Sequence, residues 1–149
     1  MNSFLIMQGI ETLALRMERH CENALTVAQY LQNHAKVEKV TYAGLQGDAH
    51  YDLAQKYMGG KPASLLTFEV KGGFDAGVKF YDQLGLFKRL VNIGDAKSLA
   101  CHPASTTHRQ LTDAEQTQAG VTPGMIRLCV GIEHIDDIIE DLEQALSVA

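Results

Sequence analysis

Cysteine is scarce and scattered in this chain. Cys21, Cys101 and Cys129 are too few to frame a disulfide-stapled fold, which favours a reducing, cytoplasmic setting. Basic residues are outnumbered, 13 against 18 acidic ones, and a formal charge of -5 offers nucleic acid no footprint. No uninterrupted apolar run approaches the ~20 residues of a bilayer crossing, which excludes a helical membrane span. The first ten residues lack the basic start and small-residue cleavage site of an export signal. Internal repeats and low-complexity segments are absent. Gly59-Gly60 and Gly72-Gly73 have neither P-loop nor dinucleotide-fingerprint spacing and read as turns. Cys101-His102 and His108 are followed by no second ligand pair, so they give no metal site. They read as a buried thiol beside a hydrogen-bonding histidine.

What is present is an ordinary soluble balance, 46% hydrophobic and 21% charged, in 149 residues. That length suits one domain and buries roughly 68–70% of the unfolded chain's surface. The first 34 residues read as one long helix, with Ile6, Ile10, Leu13, Met17, Ala24, Ala28 and Leu31 on a single stripe. Gly9 inside that pattern suggests a close approach by another backbone segment. Phe4, Leu5, Ile6 and Met7 put apolar surface at the very start, as though a covering partner precedes the helix.

Shorter elements follow. Val37–Tyr42, Ser64–Val70, Leu86–Val91 and Ile126–Val130 read as strands, and Asp48–Met58 as a short helix. Phe74–Leu84 is helical, with Phe74, Val78, Tyr81 and Leu84 expected on one face. Ile135, Ile138, Ile139, Leu142 and Leu146 stripe a closing helix, and Glu133, Asp136, Asp137, Glu140, Asp141 and Glu143 are expected on its solvated side. Residues 92–124 show little periodicity, and a long irregular stretch inside a compact domain is usually functional or disordered. The sum is α+β: a small, mainly antiparallel sheet covered by helices, preceded by the long helix.

Within Ile126-Arg127-Leu128-Cys129-Val130, the apolar positions share one face and Arg127 points to the other. A guanidinium on a short strand beside a long polar loop is suited to a bidentate grip on a carboxylate. A structural salt bridge would explain the same position.

Several ordered motifs carry a resemblance. They are Phe4-Leu5-Ile6-Met7-Gln8-Gly9-Ile10-Glu11-Thr12-Leu13 with Arg16-Met17-Glu18-Arg19-His20, and Val70-Lys71-Gly72-Gly73. Further along come Asn92-Ile93-Gly94-Asp95-Ala96-Lys97-Ser98-Leu99, His102-Pro103-Ala104-Ser105-Thr106-Thr107-His108 and Ile126-Arg127-Leu128-Cys129-Val130-Gly131-Ile132-Glu133. The chain resembles the C-terminal part of the Cys/Met-metabolism family of pyridoxal-phosphate enzymes. Asn92 and Thr106, where many lyases and γ-synthases carry serine and methionine, are similar to the O-acetylhomoserine sulfhydrylase branch, which makes homocysteine from O-acetylhomoserine and sulfide. Cystathionine γ-synthase and methionine γ-lyase are the neighbouring branches.

The resemblance implies that Arg127 grips the α-carboxylate of an amino-acid substrate, with Asn92 and Thr107 beside it. It also implies that pyridoxal 5'-phosphate is held elsewhere. The family's Ser/Thr-x-Thr-Lys motif surrounds none of the eight lysines, at 36, 39, 56, 61, 71, 79, 88 and 97. The whole of 1–149 is therefore expected to be the C-terminal domain, without the large cofactor-binding domain that would be its partner. Alone it is expected to bind no cofactor and turn over no substrate; complete relatives are homo-oligomers. A stand-alone domain that binds amino acids or regulates a partner is the competing expectation.

Overall fold

The computed structural model describes residues 1–149. In chain order the elements are α1 (Asn2–Glu11), α2 (Leu13–Gln32), β1 (Val37–Thr41), α3 (Tyr51–Met58), β2 (Leu65–Val70) and α4 (Gly73–Gln83). They continue with β3 (Lys88–Arg89), β4 (Leu99–Cys101), α5 (Asp113–Gln118), β5 (Met125–Cys129) and α6 (Ile135–Ser147). Five strands form one sheet in the order β1-β2-β5-β4-β3, antiparallel throughout except where the two-residue β3 runs parallel to β4. The α+β architecture is the one expected. No helix is long and apolar enough to cross a membrane.

Strand alternation decides where the core lies. Leu66, Phe68, Val70, Ala100, Ile126, Leu128 and Val130 all belong to one 22-residue apolar cluster, against which α2, α4 and α6 pack. Ala24, Val27, Ala28 and Leu31 contribute from α2, and Ile138, Leu142, Ala145 and Leu146 from α6. The remaining alternate positions of β2, β5 and β4 face the other way and build the candidate site.

The N-terminal segment departs from expectation. It is two helices rather than one, broken at Thr12 (φ -102°, ψ 2°). The guanidinium of Arg16 donates to the Gly9 carbonyl, the acceptor that a continuous helix would offer to the Leu13 amide, and to Thr12 Oγ1. A side chain inserted into the ladder breaks the helix there. Gly9 stands in open space, with no backbone approaching it. No residue of α1 is buried, and Phe4, Leu5, Ile6, Met7, Ile10 and Leu13 are all exposed. The expected stripe therefore reaches the core only from Ala24 onward.

Three further expectations are corrected. On α4 the buried face is Ala76, Gly77 and Phe80, followed by Leu84, while Phe74 is 44% exposed. The rotation follows from packing: Phe80 meets Phe68 edge-on at 5.4 Å, and Gly77 sits so close to His102 that a Cβ would lie 2.6 Å from Nε2. The strand expected over Leu86–Val91 shrinks to Lys88–Arg89. The supposedly irregular 92–124 stretch holds β4, a 3-10 turn at Pro103–Ser105 and α5. Helix α5 is opened by a capping box in which Thr112 and Glu115 satisfy each other's backbone amides.

Candidate functional site

Strand β5 is central, flanked by β2 and β4. Arg127 pairs with Thr67 on one side and Cys101 on the other, so these three side chains form a row on the sheet face away from the helical core. Arg127 is half-buried. Its Nη2 donates to the backbone carbonyl of Asn92 at 3.5 Å, the limit of a hydrogen bond. No carboxylate lies within 4 Å of it, because the ion pairs of the molecule all involve other cations. The salt-bridge alternative is thus not the arrangement found. The guanidinium keeps most of its five N–H donors unengaged.

Asn92 is exposed, and its Oδ1 accepts from the Ile93 amide at 2.9 Å, which leaves the Nδ2 donors uncommitted. The structure thus brings Arg127 and Asn92 together. Thr107 is not joined to them: it is exposed, and its hydroxyl pairs with His108 Nδ1 at 2.8 Å. The neighbouring Thr106 lies nearer the row, with Oγ1 donating to the His102 carbonyl at 2.8 Å and sitting 3.2 Å from Cys101 Sγ. Sequence reading missed Thr67 and Cys101 as flankers of Arg127. The signal is cross-strand register, which one strand considered alone does not carry.

Cys101 and His102 are buried, as expected for a structural pair. His102 Nε2 donates to the Pro123 carbonyl at 2.8 Å and Nδ1 accepts from Ser105 Oγ at 2.7 Å, an assignment that fits a neutral ring. Burial pushes this imidazole below its usual 6.5, against the opposing pull of the Pro123 bond and Asp82. The unfolded chain therefore takes up a proton that the folded one refuses as pH falls below about 6.5. The stability this represents is complete above that value and is lost as pH drops toward the lowered folded pKa. Urea midpoints at pH 8 and pH 5.5 are expected to fall further for the wild type than for His102→Gln, and parallel falls would overturn the assignment.

The glutamates and aspartates before and on α6 are not one solvated face. Asp141 is buried and Glu133 half-buried, each accepting backbone amides. Asp136, Asp137, Glu140 and Glu143 are exposed, as expected.

The residues present do not fit the covalent anchor of a pyridoxal-phosphate site, which needs a lysine amine shielded from water. Seven of the eight lysines are exposed, and the half-buried Lys36 spends its Nζ on the carbonyls of Ser147 and Ala149. The row around Arg127 instead presents a guanidinium with no carboxylate partner.

The family model described as Cys/Met metabolism PLP-dependent enzyme matches residues 1–147. The O-acetyl-L-homoserine sulfhydrylase of Leptospira meyeri is 59% identical over 146 residues, taking in 97% of this chain and 33% of the relative. The L-methionine gamma-lyase of Pseudomonas putida is 46% identical over 145 residues, 97% of this chain and 36% of that protein. Among solved structures, an O-acetylhomoserine (thiol)-lyase from Campylobacter jejuni carrying N'-pyridoxyl-lysine-5'-monophosphate is 43% identical. It matches with a TM-score of 0.90 over 98% of this chain and 35% of that one. The chain spans about a third of the length of these proteins. It belongs to the Cys/Met metabolism family of PLP-dependent enzymes.

Proposed function

We propose that residues 1–149 are the substrate-carboxylate domain of an O-acetylhomoserine sulfhydrylase, working with a cofactor-holding domain in a reducing cytoplasm. The reaction replaces the acetate on the γ-carbon of O-acetylhomoserine with sulfide, giving homocysteine and acetate. The single observation carrying this reading is the unpaired guanidinium of Arg127, aimed at the 92–98 loop with no acid to neutralise it.

A fork of parallel N–H donors matches the two oxygens of a carboxylate. Asn92 Nδ2 adds a donor from the loop side. Gripping the carboxylate fixes the orientation of the bonds at Cα, so the contribution is positional. The 59% identity to a sulfhydrylase against 46% to a gamma-lyase supports γ-replacement over elimination.

A chimera tests this. In it the present chain replaces the corresponding third of the Leptospira meyeri enzyme. It is expected to form homocysteine from O-acetylhomoserine and sulfide. A folded, cofactor-loaded chimera that only releases methanethiol from methionine, or turns over neither substrate, would overturn the reading.

A further inference from the structure

We propose that Glu133 is a positioning residue for the carboxylate grip: acting through Ser98, it fixes the 92–98 loop so that Asn92 stands against Arg127. The inference rests on the reading of Arg127 given above.

Glu133 follows β5 by four residues. Its Oε1 accepts the Ser98 amide at 2.7 Å and its Oε2 accepts the Ser98 hydroxyl at 2.9 Å. The same hydroxyl oxygen accepts the Gly131 amide at 2.8 Å, and the Ile132 amide donates to the Ala96 carbonyl at 3.0 Å. Four hydrogen bonds thus stitch 96–98 onto 131–133. Ser98 is fully buried, so its own hydroxyl is shielded from competing water.

The fit leaves no slack. A Cβ on Gly131 would fall 2.5 Å from both the Ala96 carbonyl oxygen and the Ser98 nitrogen, and on the Glu133 carboxylate as well. Only hydrogen fits there. From the other side α2 grips the same backbone: Asn23 Nδ2 donates to the carbonyls of Gly131 and Glu133, each at 3.0 Å, and His20 Nδ1 donates to the Val130 carbonyl at 2.6 Å. The 131–133 segment is therefore a fixed post, and Glu133 is the arm by which it holds the loop.

Upstream of that anchor the loop has little else to place it. The Asn92 and Asp95 side chains bond only their near neighbours, Ile93 and Lys97, and Asn92 itself touches Arg127 at the 3.5 Å limit. Loss of the anchor at 98 lets residue 92 drift, and drift of about 1 Å at a positioning group can cost on the order of 10²-fold.

The test uses the 149-residue chain, isotopically labelled and titrated with O-acetylhomoserine, or with its methyl ester, which lacks the carboxylate. The Arg127 Nε resonance is expected to move with the free acid and not with the ester. Glu133→Ala should weaken that binding about ten-fold and speed amide exchange at Gly131 and Ile132, while the amides of Ile126–Leu128 keep their rates. Glu133→Gln, which retains an acceptor for the Ser98 amide, should stay within about three-fold of wild type, a rescue that a general loss of stability would not give. Should Glu133→Ala fail to fold, Ser98→Ala is read in the same way. Full binding by Glu133→Ala, with binding lost in Arg127→Leu, would overturn the role of Glu133 and leave the grip standing. A wild type that does not respond, or an Arg127→Leu that binds equally well, would overturn the grip itself.

Discussion

Replacing Arg127 with leucine is expected to lower kcat/KM for O-acetylhomoserine in the chimeric enzyme by about 10²- to 10⁴-fold, with little change in melting temperature. Two charge-assisted hydrogen bonds to a carboxylate contribute about 1.5–3 kcal/mol each, and each 1.36 kcal/mol is a factor of ten in rate. The fold should hardly notice, because the side chain makes one marginal bond to Asn92 and no ion pair. Arg127→Lys keeps the charge but loses the planar fork, so it should recover only part of the loss. Asn92→Ala removes one neutral donor and should cost about ten-fold or less. Steady-state kinetics beside thermal melts separate these outcomes. A leucine variant within three-fold of wild type would remove Arg127 from the site.

Arg127 was legible in the sequence because the apolar residues of β5 alternate around it. Ile126, Leu128 and Val130 declare the core side, and the odd residue between them must point away. Its cross-strand neighbours were not legible, since Thr67 and Cys101 become neighbours only through a register set across 60 and 26 residues of chain. Strand β4 was invisible for a different reason. Leu99, Ala100 and Cys101 are all buried, so alternation is absent, and three residues give no period to detect. The break at Thr12 comes from Arg16 reaching back to Gly9, a contact that a helical wheel does not encode. Helix α1 is a mixed case: Phe4, Leu5, Ile6 and Met7 were read as unburied apolar surface and are exposed, whereas Ile10, placed on the core stripe, is exposed as well. The capping box of α5, Thr112 with Glu115, was overlooked, although its three-residue spacing was a signal inside the stretch taken as irregular.

The acidic run into α6 gives the largest expected effect on stability. Spacing alone places Asp141 among solvated acids, but its carboxylate is buried and closes the turn between α4 and β3. Oδ1 accepts the Gly85 amide at 2.8 Å, and Oδ2 accepts those of Leu86 and Phe87 at 3.0 and 3.1 Å. Gln144 Nε2 adds a fourth donor to Oδ1 at 3.0 Å. Truncation to alanine orphans three backbone amides, each costing about 1–3 kcal/mol when it cannot find water. Partial hydration of the turn moderates the sum, so Asp141→Ala is expected to cost about 3–5 kcal/mol, a large share of the ~5–15 kcal/mol that holds a domain together. Asp141→Asn can still receive two of the amides through its remaining oxygen, and about 1–2 kcal/mol is expected. Glu140→Ala, one residue away on the exposed face, should stay within about 0.5 kcal/mol. Urea unfolding of the three variants gives the order directly. Equal stabilities for Asp141→Ala and Glu140→Ala would return Asp141 to the solvated face and leave the α4–β3 turn without its anchor.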